Sequence, residues 1–209
     1  LINRVWCSGD NRHMLIFDIL ADGHVLAASG EGVKCAFHTG YTALSTFGYD
    51  TQFAECYRAA APEVGFEAPA FDDSGWCHAA PSRATYTFEK QPTEPLTMET
   101  VCPAKVRRTA DGLFADFGQM VVGYPDFVVT GRAGDEVRIL LGQELQDDGS
   151  VRYRLRANCV YEEKMILSGG RDEFRQYDYL SFRYLFLALP PEAEADEVKC
   201  IARHYPMRV

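Results

Sequence analysis

Long apolar runs are missing from this chain. No stretch approaches the roughly 18 residues that a membrane-spanning helix needs, and the longest apolar segments, at 14–17 and 185–189, have the length of core strands. Positive charge is in deficit as well. With 21 Lys and Arg against 30 Asp and Glu the formal net charge is −9, which argues against nucleic acid as the main partner, because phosphate binding needs a Lys/Arg-rich face. The same balance disfavours anionic membranes. There is no Gly-x-Ser-x-Gly elbow, and His13, His24, His38, His78 and His204 stand in no recognised relation to a Ser or Cys, so nucleophilic catalysis has no support. Gly-x-Gly-x-x-Gly and Walker patterns are absent too, with Gly169-Gly170 reading as a turn, which removes nucleotide chemistry.

Cys-x-x-Cys is also lacking. The seven cysteines, at 7, 35, 56, 77, 102, 159 and 200, are scattered without short Cys/His spacings, which argues against zinc. An odd number cannot close fully into disulfides within the chain. Most lie in apolar, strand-like contexts (33–37, 159–167, 198–201), where a thiol behaves as a small hydrophobe. The expectation is reduced, buried cysteines and a cytoplasmic setting. Residue 1 is Leu, and residues 1–10 have neither a cationic start nor a long apolar stretch, so we expect a piece of a longer protein.

What is present points to strands. The chain is 47% hydrophobic and 12% aromatic over 209 residues, an ordinary globular composition whose length accommodates two small domains. Pro81, Pro92, Pro95 and Pro103 mark a linker, here placed at 89–103, between an N-terminal module at 1–88 and a second module at 104–209. In the first, apolar runs at 13–20 and 24–28 flank Ala21-Asp22-Gly23, a hairpin signal, and 33–37 continues the meander. Phe53, Cys56, Tyr57 and Ala60 fall at i, i+3, i+4 and i+7 before Pro62, with Asp50 or Thr51 as N-cap, which predicts one short helix. Residues 65–76 read as an ordered loop pinned by Phe66, Phe71 and Trp76.

In the second module, 124–130, 136–141, 159–167, 181–187 and 198–202 read as strands, with turns at 131–135, 147–149 and 168–172. The acidic stretch 192–197 reads as loop. Apolar residues on both faces of 181–187 fit a β-sandwich. The predicted fold class is therefore all-β, two antiparallel, jelly-roll-like β-sandwich modules with one short helix.

Paired carboxylates are the remaining source of chemistry. Asp147-Asp148-Gly149-Ser150 reads as a hairpin turn whose side chains cap the backbone. Phe71-Asp72-Asp73-Ser74-Gly75-Trp76 has two readings. One is an Asx-type turn anchored by its aromatics. In the other, Trp76 stacks on a sugar ring while Asp72 and Asp73 bind hydroxyls or hold calcium through oxygen ligands. No cofactor is required by either reading.

That same stretch resembles the F-D-D-S-x-W segment of the N-terminal β-sandwich region of bacterial α-L-rhamnosidases, glycoside hydrolase family 78. The resemblance continues in order. Asp116-Phe117-Gly118-Gln119-Met120-Val121-Val122-Gly123-Tyr124 is similar to the family's D-F-G-Q-N-x-x-G-W, and Gly131-Arg132-Ala133-Gly134-Asp135-Glu136-Val137 to its G-x-A-G-x-x-V turn. Gln143-Glu144-Leu145 stands where A-E-x-L is frequent, Asp148-Gly149-Ser150-Val151 resembles the next turn, and Ser181-Phe182-Arg183-Tyr184 resembles H-G-F-R-Y. Met120 for Asn, Tyr124 for Trp, Leu180-Ser181 for His-Gly, and Gly142 for His depart from the pattern and imply a divergent subgroup.

The resemblance implies an inverting glycosidase parent acting on rhamnose-containing glycans or glycosides. Its catalytic (α/α)₆ barrel would lie C-terminal to these residues, so no catalytic residue is assigned here and the chain alone is expected to be inactive. It also implies a seam toward that barrel. For that seam Asp116, Gly118, Gln119, Gly123 and Tyr124 are the candidates, the glycines allowing close backbone approach and Asp116 and Gln119 capping a bend; strand packing within the sandwich is the alternative.

Overall fold

The computed structural model describes residues 15–30, 32–47, 52–82, 87 and 89–207. They belong to two units, one made of Leu1–His38 and Gly65–Gln91, the other of Thr39–Val64 and Pro92–Val209.

In the first unit, β1 (Asp18–Ala21) and β2 (His24–Ala28) form an antiparallel hairpin. Asp22 and Gly23 take φ of 50° and 78°, the positive values that a two-residue turn needs to match strand twist. The expected run at 13–20 thus becomes a strand from residue 18; its positions 13 and 14 lie outside the described residues. Residues 33–37 do not extend this hairpin as predicted. Instead β3 (Lys34–Cys35) pairs with β6 (Cys77–His78) far along the chain. Between them, residues 65–76 form the expected aromatic-pinned loop, with Trp76 against Phe71 (5.6 Å, edge-on) and Phe66 (6.4 Å).

The second unit contains β4 (Tyr41–Phe47), β5 (Gln52–Arg58), β7 (Thr97–Val101), β8 (Lys105–Thr109), β9 (Gly112–Thr130), β10 (Glu136–Gly142), β11 (Glu162–Ile166), β12 (Arg171–Arg175), β13 (Leu180–Ala188) and β14 (Glu194–His204). Hydrogen bonding runs in the order β4-β5-β11-β10-β13-β9-β14-β7. The 19-residue β9 organises the unit. Its first part pairs with β8 and β13, and its last part with β12 and β14, so one strand passes between two sets of neighbours and bends near Gly118, whose φ is +78°. Phe127, Val129, Ile139, Leu141, Met165, Phe174, Phe182, Leu185 and Leu187 are fully buried and form the core. Phe127 stacks on Phe174 at 4.8 Å.

Four expectations are corrected. The predicted helix at 50–61 is the strand β5; Ala54, Glu55, Cys56 and Tyr57 are all buried, because β5 lies between β4 and β11 and is covered on both faces, which erases the period-2 signal. The proposed caps at 50 and 51 lie outside the described residues. Residues 39–64, assigned to the N-terminal module, sit in the second unit through the parallel β5–β11 pairing. The 89–103 linker contains β7, which pairs with β14 from Thr97 to Val101. Acidic residues 194–197, read as loop, open β14. Among the described residues there is no helix, and the all-β, sandwich-like class stands.

Candidate functional site

The aspartates of the 71–76 loop are engaged by the loop and by β3. Asp72 Oδ1 accepts the Ser74 N–H at 3.0 Å, an Asx turn, and this bonding to Ser74 holds the Asp72 carboxyl below its ordinary range. The Asp73 carboxylate pairs with Lys34 Nζ at 2.8 Å, its carbonyl accepts from the same ammonium at 3.3 Å, and that carbonyl also accepts the Trp76 N–H. Trp76 is half-buried, its ring flanked by Phe66 and Phe71. Calcium takes six to eight oxygens, and Asp72 and Asp73 do not assemble such a set. Among the described residues no group of three His, Cys, Asp or Glu is placed to hold a metal.

The 116–124 segment is explained by partners inside its own unit. Arg183 Nε and Nη2 donate to the two oxygens of Asp116 at 2.8 and 3.1 Å, a forked pair across β9 and β13. Asp116 Oδ1 also accepts the Gly118 N–H at 2.7 Å, closing the bend where Gly118 takes its positive φ. The Arg183 guanidinium foremost, helped by the Gly118 N–H, holds the Asp116 carboxyl below the usual carboxylate range against the opposing effect of desolvation. Gly123 lies against β14. A Cβ there would come within 2.2 Å of the Ile201 carbonyl oxygen and 2.7 Å of Ala202 Cα, so the close approach that needs glycine is between β9 and β14. Gln119 is exposed. Tyr124 is half-buried; its hydroxyl accepts from Arg203 Nη1 at 3.2 Å, and Arg203 lies 4.0 Å over the Tyr179 ring.

Gly142, where the resembling family has His, has no space for a side chain, since a Cβ would meet Arg152 O and Val151 Cγ1 at 2.7 Å. The hairpin at 145–153 occupies that place.

Two polar clusters escaped sequence reading. A cleft of about 430 Å³ is lined by Thr100, Tyr124, Pro125, Asp126, Arg175, Gln176, Lys199 and Ile201. Cross-strand register sets Asp126 of β9 opposite Arg175 on one side and Lys199 on the other, where a bulge in β14 between Asp196 and Lys199 adjusts the alignment. The Asp126 side chain, 8% exposed, lies 3.5 Å from Arg175 Nε and 3.4 Å from Lys199 Nζ. In the interior, Glu55 on β5 accepts the N–H groups of Tyr177 and Asp178 at 2.9 and 2.8 Å, while its own N–H donates to the Glu163 carboxylate. Gln176 Nε2 reaches Glu163 at 3.3 Å. Only the charges themselves hinted at these clusters, because their members are up to 123 residues apart in the chain.

The cysteines divide. Cys56 and Cys200 are buried as expected, and burial pushes the Cys200 thiol up to about 12. Cys35, Cys77 and Cys102 are exposed, which corrects the expectation of buried thiols at those positions; for Cys35 and Cys77 the reason is that, among the described residues, β3 and β6 form a two-residue ladder of two strands.

These arrangements order backbone and neutralise charge; they do not place an acid and a base across a substrate-sized gap. The class defined is an all-β, sandwich-like domain. Residues 107–203 match the family described as the bacterial alpha-L-rhamnosidase concanavalin-like domain. An alpha-L-rhamnosidase of Streptomyces avermitilis is 28% identical over 142 residues, 65% of this chain and 14% of its own length. The structure of the S. avermitilis alpha-L-rhamnosidase complexed with L-rhamnose superposes with a TM-score of 0.68 at 23% identity, over 89% of this chain and 18% of that one. That of Dictyoglumus thermophilum gives 0.64 at 24%, over 88% and 21%. These two likenesses speak to the fold. The chain thus spans a small part of the length of each.

Proposed function

We propose that this chain is an accessory β-sandwich region of an α-L-rhamnosidase, a glycoside hydrolase that removes terminal α-L-rhamnose from glycosides, whose catalytic (α/α)₆ barrel lies C-terminal to the residues described. The observation that carries this reading is the match of 107–203 to the concanavalin-like domain. In the parent, a carboxylic acid of the barrel protonates the leaving oxygen and a carboxylate activates water. The role of this region is to support that barrel. Gly118, Gln119, Met120 and Val122 form an exposed ridge on β9, with Met120 47% and Val122 42% accessible, and this ridge is the surface offered to it. Scaffolding is favoured over sugar binding because the rings of Phe66, Phe71 and Trp76 cover one another and Asp73 is neutralised by Lys34.

The test is an aryl α-L-rhamnoside hydrolysis assay on this chain and on the full-length parent, with an amide NMR titration of the chain by L-rhamnose, with and without calcium. The parent is expected to hydrolyse the substrate, and the chain to show neither turnover nor saturable shifts. Turnover by the chain, or a parent inert toward α-L-rhamnosides, overturns the proposal; calcium-dependent shifts at 72–76 replace scaffolding with a lectin-like role.

A further inference from the structure

We propose that Cys35 and Cys77 form a reversible cross-strand disulfide site, oxidised by low-molecular-weight disulfides. The two cysteines are direct partners in the antiparallel β3–β6 ladder, so their side chains leave the same face. The Ala79 N–H donates to the Val33 carbonyl at 2.8 Å, which makes Val33/Ala79 a hydrogen-bonded pair. Alternation along an antiparallel ladder then makes Cys35/Cys77 the next hydrogen-bonded pair, with Cα atoms about 5.5 Å apart. That separation lies in the middle of the range that disulfides span, about 4.4–6.8 Å. Both thiols are exposed, so a small disulfide can reach them. Among the described residues, the other exposed or half-exposed cysteines, Cys102 and Cys159, do not face a cysteine in any strand pairing.

The chemistry balances as two exchanges. The thiolate of one cysteine attacks a small disulfide, forming a mixed disulfide and expelling one small thiolate, which takes up a proton. The facing thiolate then attacks the protein sulfur, forms the Cys35–Cys77 bond and expels the second small thiolate, which is likewise protonated. Two protein thiols are oxidised and one small disulfide is reduced to two thiols. Because the second exchange is intramolecular, the bridge prevails over the mixed disulfide at this pair, and not at Cys102 or Cys159. The bond would staple the two-residue ladder beneath the 65–76 loop, which is held otherwise by Lys34–Asp73 and ring packing.

The test is equilibration of the chain with millimolar reduced and oxidised glutathione, acid quench, alkylation, and mass spectrometry after cleavage at Lys, Arg and Glu. Cleavage after Glu55 separates Cys35 from Cys56. The expected product is a cross-linked pair of peptides, 35–55 with 68–83, while Cys102 and Cys159 carry glutathione or the alkyl group and Cys56 and Cys200 stay unmodified until unfolding. In Cys35→Ser, Cys77 should accumulate as the glutathione adduct, since its resolving partner is gone. Separate glutathione adducts on Cys35 and Cys77 in the unsubstituted chain, or a bridge from either to another cysteine, would overturn the site.

Discussion

Replacing Gly123 with Ala tests the β9–β14 contact directly. A Cβ at this position would lie 2.2 Å from the Ile201 carbonyl oxygen, 2.7 Å from Ala202 Cα and 2.9 Å from the Ile201 carbonyl carbon. All three are backbone atoms, and the shortfall from ordinary contact is about 1 Å. No side chain can swing aside, so β14 has to move away from β9 at the point where Ala202 pairs with Gly123. Forcing such an overlap costs about 1–3 kcal/mol, and weakening one or two ladder hydrogen bonds adds about 0.5–1.5 kcal/mol each. A total near 3 kcal/mol lowers the thermal midpoint by about 6–12 °C for a protein of this size. The control is Gly170→Ala, where a Cβ meets nothing closer than Ser168 Oγ at 3.8 Å and the backbone does not require glycine; it should be neutral or slightly stabilising. The assay is thermal unfolding by far-UV circular dichroism. If the two variants melted together, the reasoning that glycine is required by the β9–β14 approach would be wrong.

Two further substitutions probe the polar contacts. Glu55→Ala removes the acceptor of the Tyr177 and Asp178 N–H groups from a side chain that is 2% exposed; stranding those donors should cost about 2–4 kcal/mol, read as a lower urea midpoint, with Glu55→Gln intermediate, and a loss under 0.5 kcal/mol, roughly the level of a neutral surface change, would show that the cap is dispensable. Asp116→Asn tests a pH dependence: the folded-state pKa of Asp116 lies below its unfolded value near 3.9, so its contribution is present above that value and is lost as pH falls through the folded pKa. The stability gap between the unsubstituted chain and Asp116→Asn should therefore close as thermal midpoints are followed from pH 6 toward pH 3, and a gap independent of pH would refute the role given to the Arg183 pairing.

Features whose cause lies within a few residues were legible. Asp22-Gly23 forms its hairpin turn because positive φ is a local property, Asp72 and Asp148 cap Ser74 and Ser150 two residues on, and the aromatics of 65–76 pin a short loop. The strands at 136–141 and 181–187 carry apolar residues dense enough to be recognised without their partners. The D-F-G-Q motif was legible as a resemblance, yet its physical cause was not. Asp116 needs Arg183 from β13, and Gly123 needs the backbone of β14, and neither neighbour can be read from the motif.

The β5 strand shows why. Its apolar residues happen to sit at helical spacing, and a strand buried on both faces has no alternation to contradict it; only the parallel partner β11 decides the matter. The same holds for Glu55, a charge placed in a core because main-chain donors 122 and 123 residues later converge on it, and for Cys35 and Cys77, which the sequence scatters and the β3–β6 register sets face to face. The sequence by itself determined turn positions, an all-β composition and the family motifs, since these rest on local backbone preference and side-chain chemistry. Tertiary structure alone decided which segments share a sheet and in what register, because that choice minimises exposed apolar surface and unpaired backbone groups over the whole chain at once.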